Sequence, residues 1–470
     1  MGSVEAISVR DYPRYTSETT DEARINRALK AAANAGGGTV YFPSGIYIIA
    51  SQILLPSKVR MLGEGGTTFG AGSLDIGTAL PENFITQAVT VIKLDDGSDS
   101  NMLELEDTSN YILQNSCIEN FVFWGNRSQN EGNGIYLNNS AIDQRGHNKF
   151  INILIYDMNG TGFYIGLGHQ ELHMDNVIAY NCTYDGFDIR AGEDSKLYKI
   201  QSAKNGESGI RITQEGSHGG ALRFYDTDVW ENGMGIEIFD VMNIFFFGVS
   251  ANNNQYSGIY IYRSNWAPSQ IHITRGTFDS NSHNNLTSPG SDIFIESTAI
   301  DVPHAIFVDK CLFRGSSDTS KPNYPIQDMA TTPARNIVTN CCYISSNYRY
   351  PKLVNIDTYS CSQNYDLSTS ECVDEYNLPY RYMTDTVIKN SDVYLTVNSS
   401  AGNIALTLPS INSVQLGKVF FISKTTNDTN TISVNPIGTD GFTGNSTINN
   451  QYGTLMVVRA GTNWYSIKIS

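Results

Sequence analysis

Long apolar runs are missing from this 470-residue chain. No stretch of 18 or more apolar residues occurs, so the sequence offers no membrane-spanning helix. Charge is scarce as well: only 17% of residues are charged, and the surface must draw on Asn, Ser, Thr and Tyr. Basic residues are the scarcer sign, 31 against 47 acidic ones, for a net charge of −16. Such a field repels a phosphate backbone, which excludes nucleic acid as a partner. The seven cysteines contain no C-x-x-C spacing and the seven histidines are scattered, so neither a metal nor a cofactor is expected. Small buried thiols in a chain folded in a reducing compartment fit better; whether Cys361 and Cys372 pair stays open. Residues 1–25 lack the charged-then-apolar profile of a secretion signal.

Aromatics are plentiful, with 27 Tyr and 20 Phe. A Tyr ring offers a flat apolar face and a hydroxyl, which suits sugar rings, although core and inter-chain packing should absorb most of them. Hydrophobic residues reach 40%, enough for a substantial core. The length suggests two to four ordinary domains unless the fold is an elongated repeat.

A repeat is present. Gly134-Ile135-Tyr136-Leu137 is followed by Gly162-Phe163-Tyr164-Ile165, Gly186-Phe187-Asp188-Ile189, Gly209-Ile210-Arg211-Ile212, Gly235-Ile236-Glu237-Ile238 and Gly258-Ile259-Tyr260-Ile261, with a weaker copy at Asp292-Ile293-Phe294-Ile295. The glycines lie 28, 24, 23, 26 and 23 residues apart. A second short strand, such as Phe150-Ile151-Asn152-Ile153, separates successive copies. A period of this length built from short strands predicts one coil of a β-helix per repeat; a propeller would need four-stranded blades. Each Gly is expected to enter its strand through a positive-φ turn. Asn133, Asn181, Asn205, Asn232 and Asn254 are expected to stack between coils.

The fold expected is therefore all-β: a right-handed parallel β-helix with a short N-terminal capping helix and a C-terminal antiparallel β-sandwich. Residues 1–65 read as the cap and first coils, with a helix opening at Thr20-Asp21-Glu22-Ala23 and an apolar stripe at Ile25, Ala28, Leu29 and Ala32. Residues 66–315 read as the helix proper, 316–383 as its irregular end and linker, and 384–470 as the sandwich, a trimerisation or carbohydrate-binding module.

Residues 5–65 resemble the start of the pectate-lyase-like superfamily, through Ile7-Ser8-Val9-Arg10-Asp11-Tyr12, Thr20-Asp21, Gly37-Gly38-Thr39-Val40-Tyr41-Phe42-Pro43-Ser44-Gly45-Ile46-Tyr47 and Leu62-Gly63-Glu64-Gly65. A β-helix followed by a β-sandwich resembles the phage tailspike depolymerases. That resemblance implies a homotrimer that degrades a bacterial capsular or surface polysaccharide. It also implies a place on the virion tail after folding in the bacterial cytoplasm, and contacts with other virion tail proteins through an N-terminal segment missing here.

Alternation along each strand puts the residue after the first Ile or Phe on the outer face. The resulting column is Tyr136, Tyr164, Asp188, Arg211, Glu237, Tyr260 and Phe294. Two residues on run Asn138, Gly166, Arg190, Thr213, Phe239, Tyr262 and Glu296. Asp188 and Glu237, two coils apart, have backbones roughly 9–10 Å apart, which suits an inverting glycosidase, whose carboxyls sit ~6.5–9.5 Å apart. Arg211 between them is expected to hold an acidic sugar or to keep one carboxylate ionised. A second pair precedes the strands: Tyr184-Asp185-Gly186-Phe187-Asp188-Ile189 resembles the Asn-Thr-Asp-Gly strand of polygalacturonases, with Asp185 at the acidic position. Glu207 in Gly206-Glu207-Ser208 is the acid that remains where that family has Gly-Asp-Asp. Arg190, Tyr164, Tyr260 and Tyr262 complete the expected groove, and Glu193, Asp194, Glu215, His218, Asp240 and Trp266 its rim. A bland reading competes, in which the Asp–Arg–Glu stack is a surface ion-pair ladder whose links contribute ~0–1 kcal/mol each.

Endo-glycoside hydrolysis leads. β-Elimination from a uronic acid, with Arg211 or Arg190 beside Tyr164 or Tyr260, is the rival reaction. A non-catalytic receptor-binding adhesin is the rival function.

Overall fold

A computed structural model of the chain describes residues 6–65, 89–106, 115–138, 146–166, 171–190, 192–213, 221–264, 268–282, 290–296, 304–316, 322–328, 337–340, 342–344, 348, 361–362, 365–366, 371–372, 380–382, 386–388, 394–450 and 453–469. The chain forms two compact units, Met1–Ile337 with Ile344–Ile356, and Val338–Tyr343 with Asp357–Ser470. No helix among the described residues is long and apolar enough to cross a membrane.

The first unit opens with the helix Glu22–Asn34, which buries Ile25, Ala28, Leu29 and Ala32 along one stripe. Asp21 is its N-cap by position, but the carboxylate makes no capping bond. It accepts instead from the Ile48 N–H at 2.9 Å and pairs with Arg24 at 2.7 Å, tying the helix to the strand Gly45–Ile49.

Coils follow. Each adds one short strand to a ten-stranded sheet that includes Ile135–Leu137, Phe163–Ile165, Phe187–Ile189, Ser208–Ile212, Met234–Phe239 and Ile259–Tyr262. Its neighbours pair in parallel. Each coil also adds a long strand to a second parallel sheet, among them Lys149–Tyr156, His173–Tyr180, Lys196–Ala203, Leu222–Trp230 and Met242–Asn252. The long strands turn a corner at a left-handed residue, Asn120, Asn152, Asn176, Lys199 or Asp226. Asn and Asp tolerate that conformation better than most side chains. Inward residues such as Phe163, Phe187, Ile210, Ile236 and Phe224 are fully buried and fill the coil.

The strand-leading glycines are there for a different reason from the one expected. None of Gly134, Gly162, Gly186, Gly209, Gly235 or Gly258 has a positive φ. They are small because coils meet there: a Cβ at Gly186 would lie 1.9 Å from Ser202 Oγ and 2.7 Å from Gly209 O.

Asparagines stack, but in a partly different set. Asn205, Asn232, Asn254 and Asn281 form one buried ladder. Each Oδ1 from Asn232 on accepts both the backbone N–H and the side-chain NH₂ of the Asn one coil earlier, at 2.8–3.3 Å. Asn133 stacks as well, donating through its backbone N–H and its side chain to Asn101 one coil earlier, whereas Asn181 donates to Asp157. A second ladder, Asn120–Asn152–Asn176, runs through the left-handed corners. Asn232→Ala would orphan the Asn205 N–H and the Ser202 carbonyl inside the solenoid, and an unsatisfied buried group costs about 1–3 kcal/mol. The expected loss is on the order of 2–4 kcal/mol, read as a lower denaturation midpoint. An unchanged midpoint would show that the ladder adds nothing.

In the second unit, the sheets are mixed rather than antiparallel throughout. Tyr380–Tyr382, Tyr394–Val397 and Val419–Lys424 pair in parallel, as do Thr386–Val387, Ile404–Thr407 and Ile432–Asn435. Successive strands alternate between two sheets, so every second strand becomes a parallel neighbour. Antiparallel pairs join them: Thr447–Ile448 pairs with Ile432–Asn435, and Thr454–Ala460 pairs with Val419–Lys424 and joins Asn463–Lys468 through a tight turn at Gly461, φ 64°. Trp464, Phe420, Ile422 and Val457 lie in its buried core. The side chains of Cys361 and Cys372 lie outside the described residues, and Cys182, Cys311 and Cys342 are buried free thiols.

Candidate active site

The ten-stranded sheet puts the expected column in register. Tyr136 pairs with Tyr164, Tyr164 with Asp188, Asp188 with Arg211, Arg211 with Glu237, Glu237 with Tyr260, and Tyr260 with Phe294. Aromatic rings bracket the charged centre. Tyr136 stacks on Tyr164 at 4.6 Å, and Tyr260, Tyr262 and Phe239 stack at 4.6 and 4.8 Å. The two arginines are drawn toward these rings, Arg190 lying 5.0 Å from the Tyr164 centroid and Arg211 5.2 Å from Phe239.

The four acids sort themselves differently from the expected pairs. Asp188 is only 3% exposed, and its Oδ2 accepts from Arg190 through Nε and Nη2, both at 3.0 Å. Its Oδ1 is buried without a hydrogen-bond partner among the described residues. Asp185, one turn before the strand, is also 3% exposed. Its partner is Glu237 rather than Glu207. Ser208 bridges the two: its backbone N–H donates to Asp185 Oδ1 at 2.9 Å and its hydroxyl to Glu237 Oε2 at 3.1 Å. Arg211 bridges them again, at 3.9 Å from Asp185 and 3.7 Å from Glu237. Two carboxyls sharing one serine and one guanidinium must lie close, within the order of the ~5–9.5 Å that glycosidase pairs span. Glu207 is exposed, and its charge is the last of the influences acting on Asp185.

Burial dominates the electrostatics. It pushes the Asp185 carboxyl up to about 7; the Ser208 N–H and Arg211 pull it back, while Asp188 and Glu207 push it further. At neutral pH this acid is therefore poised to hold a proton. Burial also raises the Tyr260 and Tyr262 phenols. Hydrogen bonds to Glu296 and Glu237 respectively, and the charges of those acids, add to the rise.

Of the rim residues, Asp240 is buried and accepts from the Ser264 N–H at 2.9 Å. Glu193 is half-buried and Asp194 exposed. Glu215, His218 and Trp266 lie outside the described residues. No group of three or more His, Cys, Asp or Glu among the described residues is arranged to hold a metal. Ser208 was missed in the sequence, since a serine in place of an acid reads as a loss. Its only signal was its place at the head of the strand that carries Arg211, directly after Glu207.

A raised carboxyl also has a cost in stability. Asp185 and Asp292, the latter fully buried, hydrogen-bonded to Tyr348 and Asn281 and also pushed up to about 7 by burial, keep protons in the folded chain that the unfolded chain has released. Between roughly pH 4 and 7 the native state thus binds more protons, and stability falls as pH rises through that window. Asn at position 292 reproduces the donor and acceptor of the neutral acid. Asp292→Asn should therefore flatten the decline, with its largest gain at and above pH 7. Denaturation midpoints at pH 5 and pH 8 check this, and an equal slope in both proteins would contradict it.

Comparison with known proteins agrees with this architecture. Residues 6–211 match the family described as rhamnogalacturonase A/epimerase, pectate lyase-like, and residues 133–302 match the right-handed β-helix region. The mannuronan C5-epimerase AlgE4 of Azotobacter vinelandii is 28% identical over 179 residues, covering 36% of this chain and 29% of that protein. The chain spans less than a third of the length of the curated relatives it matches. The solved A-module of AlgE4 superposes with a TM-score of 0.57 at 18% identity, covering 75% of this chain and 100% of that one. The tailspike protein of E. coli bacteriophage HK620, solved in complex with a pentasaccharide, gives 0.57 at 12% identity over 99% of this chain and 92% of that one. The catalytic unit of a GH87 α-1,3-glucanase from Streptomyces thermodiastaticus gives 0.53 at 12% identity, covering 93% and 70%. The register of the coils and the match over residues 133–302 show that the chain is a right-handed parallel β-helix.

Proposed function

We propose that this chain is a polysaccharide depolymerase of the tailspike type that cuts a bacterial surface glycan by endo-glycoside hydrolysis. The observation that carries the reading is the Asp185–Glu237 pair. One carboxyl is buried and poised near neutrality, and the other is ion-paired to Arg211, with Ser208 holding both. Hydrolysis needs one acid to protonate the leaving oxygen and one carboxylate to activate water or attack the sugar. Asp185 is the proton donor and Glu237 the carboxylate. The flanking tyrosines offer ring faces to a sugar. The saccharide complex of the HK620 tailspike and the named activity of the GH87 glucanase favour a glycan substrate. Assembly as a homotrimer and a place on a virion tail belong to the same proposal.

A second reading is proton abstraction at C5 of a uronic acid, leading to epimerisation or β-elimination. The AlgE relatives favour it, and Arg190 and Arg211 suit an acidic sugar. Against it stand the tyrosines, whose raised phenols are poor bases near neutrality. Incubation with purified capsular polysaccharide separates the readings. New reducing ends with no absorbance near the ultraviolet edge indicate hydrolysis. An absorbing, unsaturated product indicates a lyase. Unchanged chain length with altered uronate stereochemistry indicates an epimerase, and unchanged polymer an adhesin.

A further inference from the structure

The second sheet carries an ordered outer face of its own. Before its left-handed corner each long strand turns alternate side chains outward. In register, Lys149 stands beside His173, His173 beside Lys196, and Lys196 beside Arg223. The same column continues through Phe245, His272 and Phe307. Two residues along each strand runs a second column, Asp175, Tyr198, Tyr225 and Phe247. The rings form two ladders: Tyr198–Tyr225–Phe247 at 4.7 and 5.2 Å, and Phe245–His272–Phe307 at 4.8 and 4.5 Å. Phe247 is 39% exposed, a large apolar ring facing water. Where the column begins, a cavity of about 460 Å³ is lined by residues that include Arg60, Cys117, Glu119, His147 and Lys149. Arg60 is paired with Glu119 and His147 with Glu171, whereas Lys149 and Lys196 make no ion pair among the described residues.

We propose that this face is a second glycan-binding track, selective for an anionic polysaccharide and separate from the Asp185–Glu237 groove. A run of cations in register is an exception in a chain of net charge −16, and it sits where the cavity opens. Acidic groups on a polymer would meet Lys149, Lys196 and Arg223, and ring faces would stack on the two ladders. Coils repeat at ~4.8 Å, close to the advance of one pyranose along an extended chain, so successive sugars meet successive rungs. A contact between copies, such as that of the proposed homotrimer, is the competing occupant, and the test reads it as sedimentation mass. Such a track would hold the polymer while the groove acts, raising its effective concentration there. The inference rests on the reading of this protein as glycan-binding, but not on the chemistry of the groove.

The test uses the full chain carrying Glu237→Gln, so that no cutting occurs, with polymannuronate, polygalacturonate and, as neutral control, dextran as probes. Expected is measurable, salt-sensitive binding to at least one anionic polymer and none to dextran. Lys196→Glu with Arg223→Glu should weaken it tenfold or more. Tyr198→Ser with Tyr225→Ser should weaken it about fivefold, with circular dichroism unchanged in both. In the catalytically intact background the same variants should cut a short oligosaccharide at the parent rate, which separates failure of the track from failure of the groove. No anionic binding by the parent, or binding unchanged in both pairs of variants, overturns the proposal. So does a lower sedimentation mass with affinity intact, which would make the face a contact between copies.

Discussion

Glu237→Gln is expected to lower the rate of glycan cutting by about 10²–10⁴-fold, the usual contribution of a positioned acid or base, while leaving polymer binding in place. Glutamine keeps the length of the side chain and an oxygen able to accept from the Ser208 hydroxyl, now 3.1 Å away. It cannot carry the charge that faces Arg211 at 3.7 Å, and it can neither deprotonate water nor attack an anomeric carbon. The coil is unaffected because Ile236 and Ile238, on either side, supply the buried contacts. Initial rates of reducing-end formation at saturating polymer, set beside the dissociation constant, check this. Parent-level cutting would remove Glu237 from the chemistry.

Asp185→Asn is expected to have an effect of similar size but a different signature. Burial pushes this carboxyl up to about 7. In the parent, the rate should fall as pH rises through that value, because a general acid works only while protonated. The amide has no proton to give, so the variant should lose that descending limb together with its rate. The loss should shrink on aryl glycosides, whose leaving groups depart without protonation. A rate profile that still falls near pH 7 in the variant would assign the limb to another group.

The sequence carried the column because strand alternation and a glycine-led repeat are enough to set it. Once Gly186, Gly209 and Gly235 start equivalent strands, Asp188, Arg211 and Glu237 have no choice but to stack. It did not carry the pairing of the acids. That pairing depends on which way a residue outside the strand faces: Asp185 turns back under the Ser208 N–H, and Glu207 turns out to water. Nor did it separate the two roles a strand-entry glycine can have. Close approach between coils and a positive φ select the same residue, and only the geometry at Gly186 shows the former. The terminal sheets look antiparallel in sequence because short strands with polar turns usually are. Alternation between two sheets makes neighbours of every second strand instead. The second asparagine ladder escaped notice because Asn152 and Asn176 sit inside apolar runs, where they read as strand interior rather than as left-handed corners.

The central claim, that the fold holds one buried carboxyl neutral beside an ionised partner, can be read without any substrate. Infrared difference spectra of the parent minus Asp185→Asn, recorded across pH, isolate the carboxyl stretch of this one residue. The account predicts a protonated band that persists to a midpoint of about 7. A band already lost near pH 4, the ordinary range for an aspartate, would contradict it.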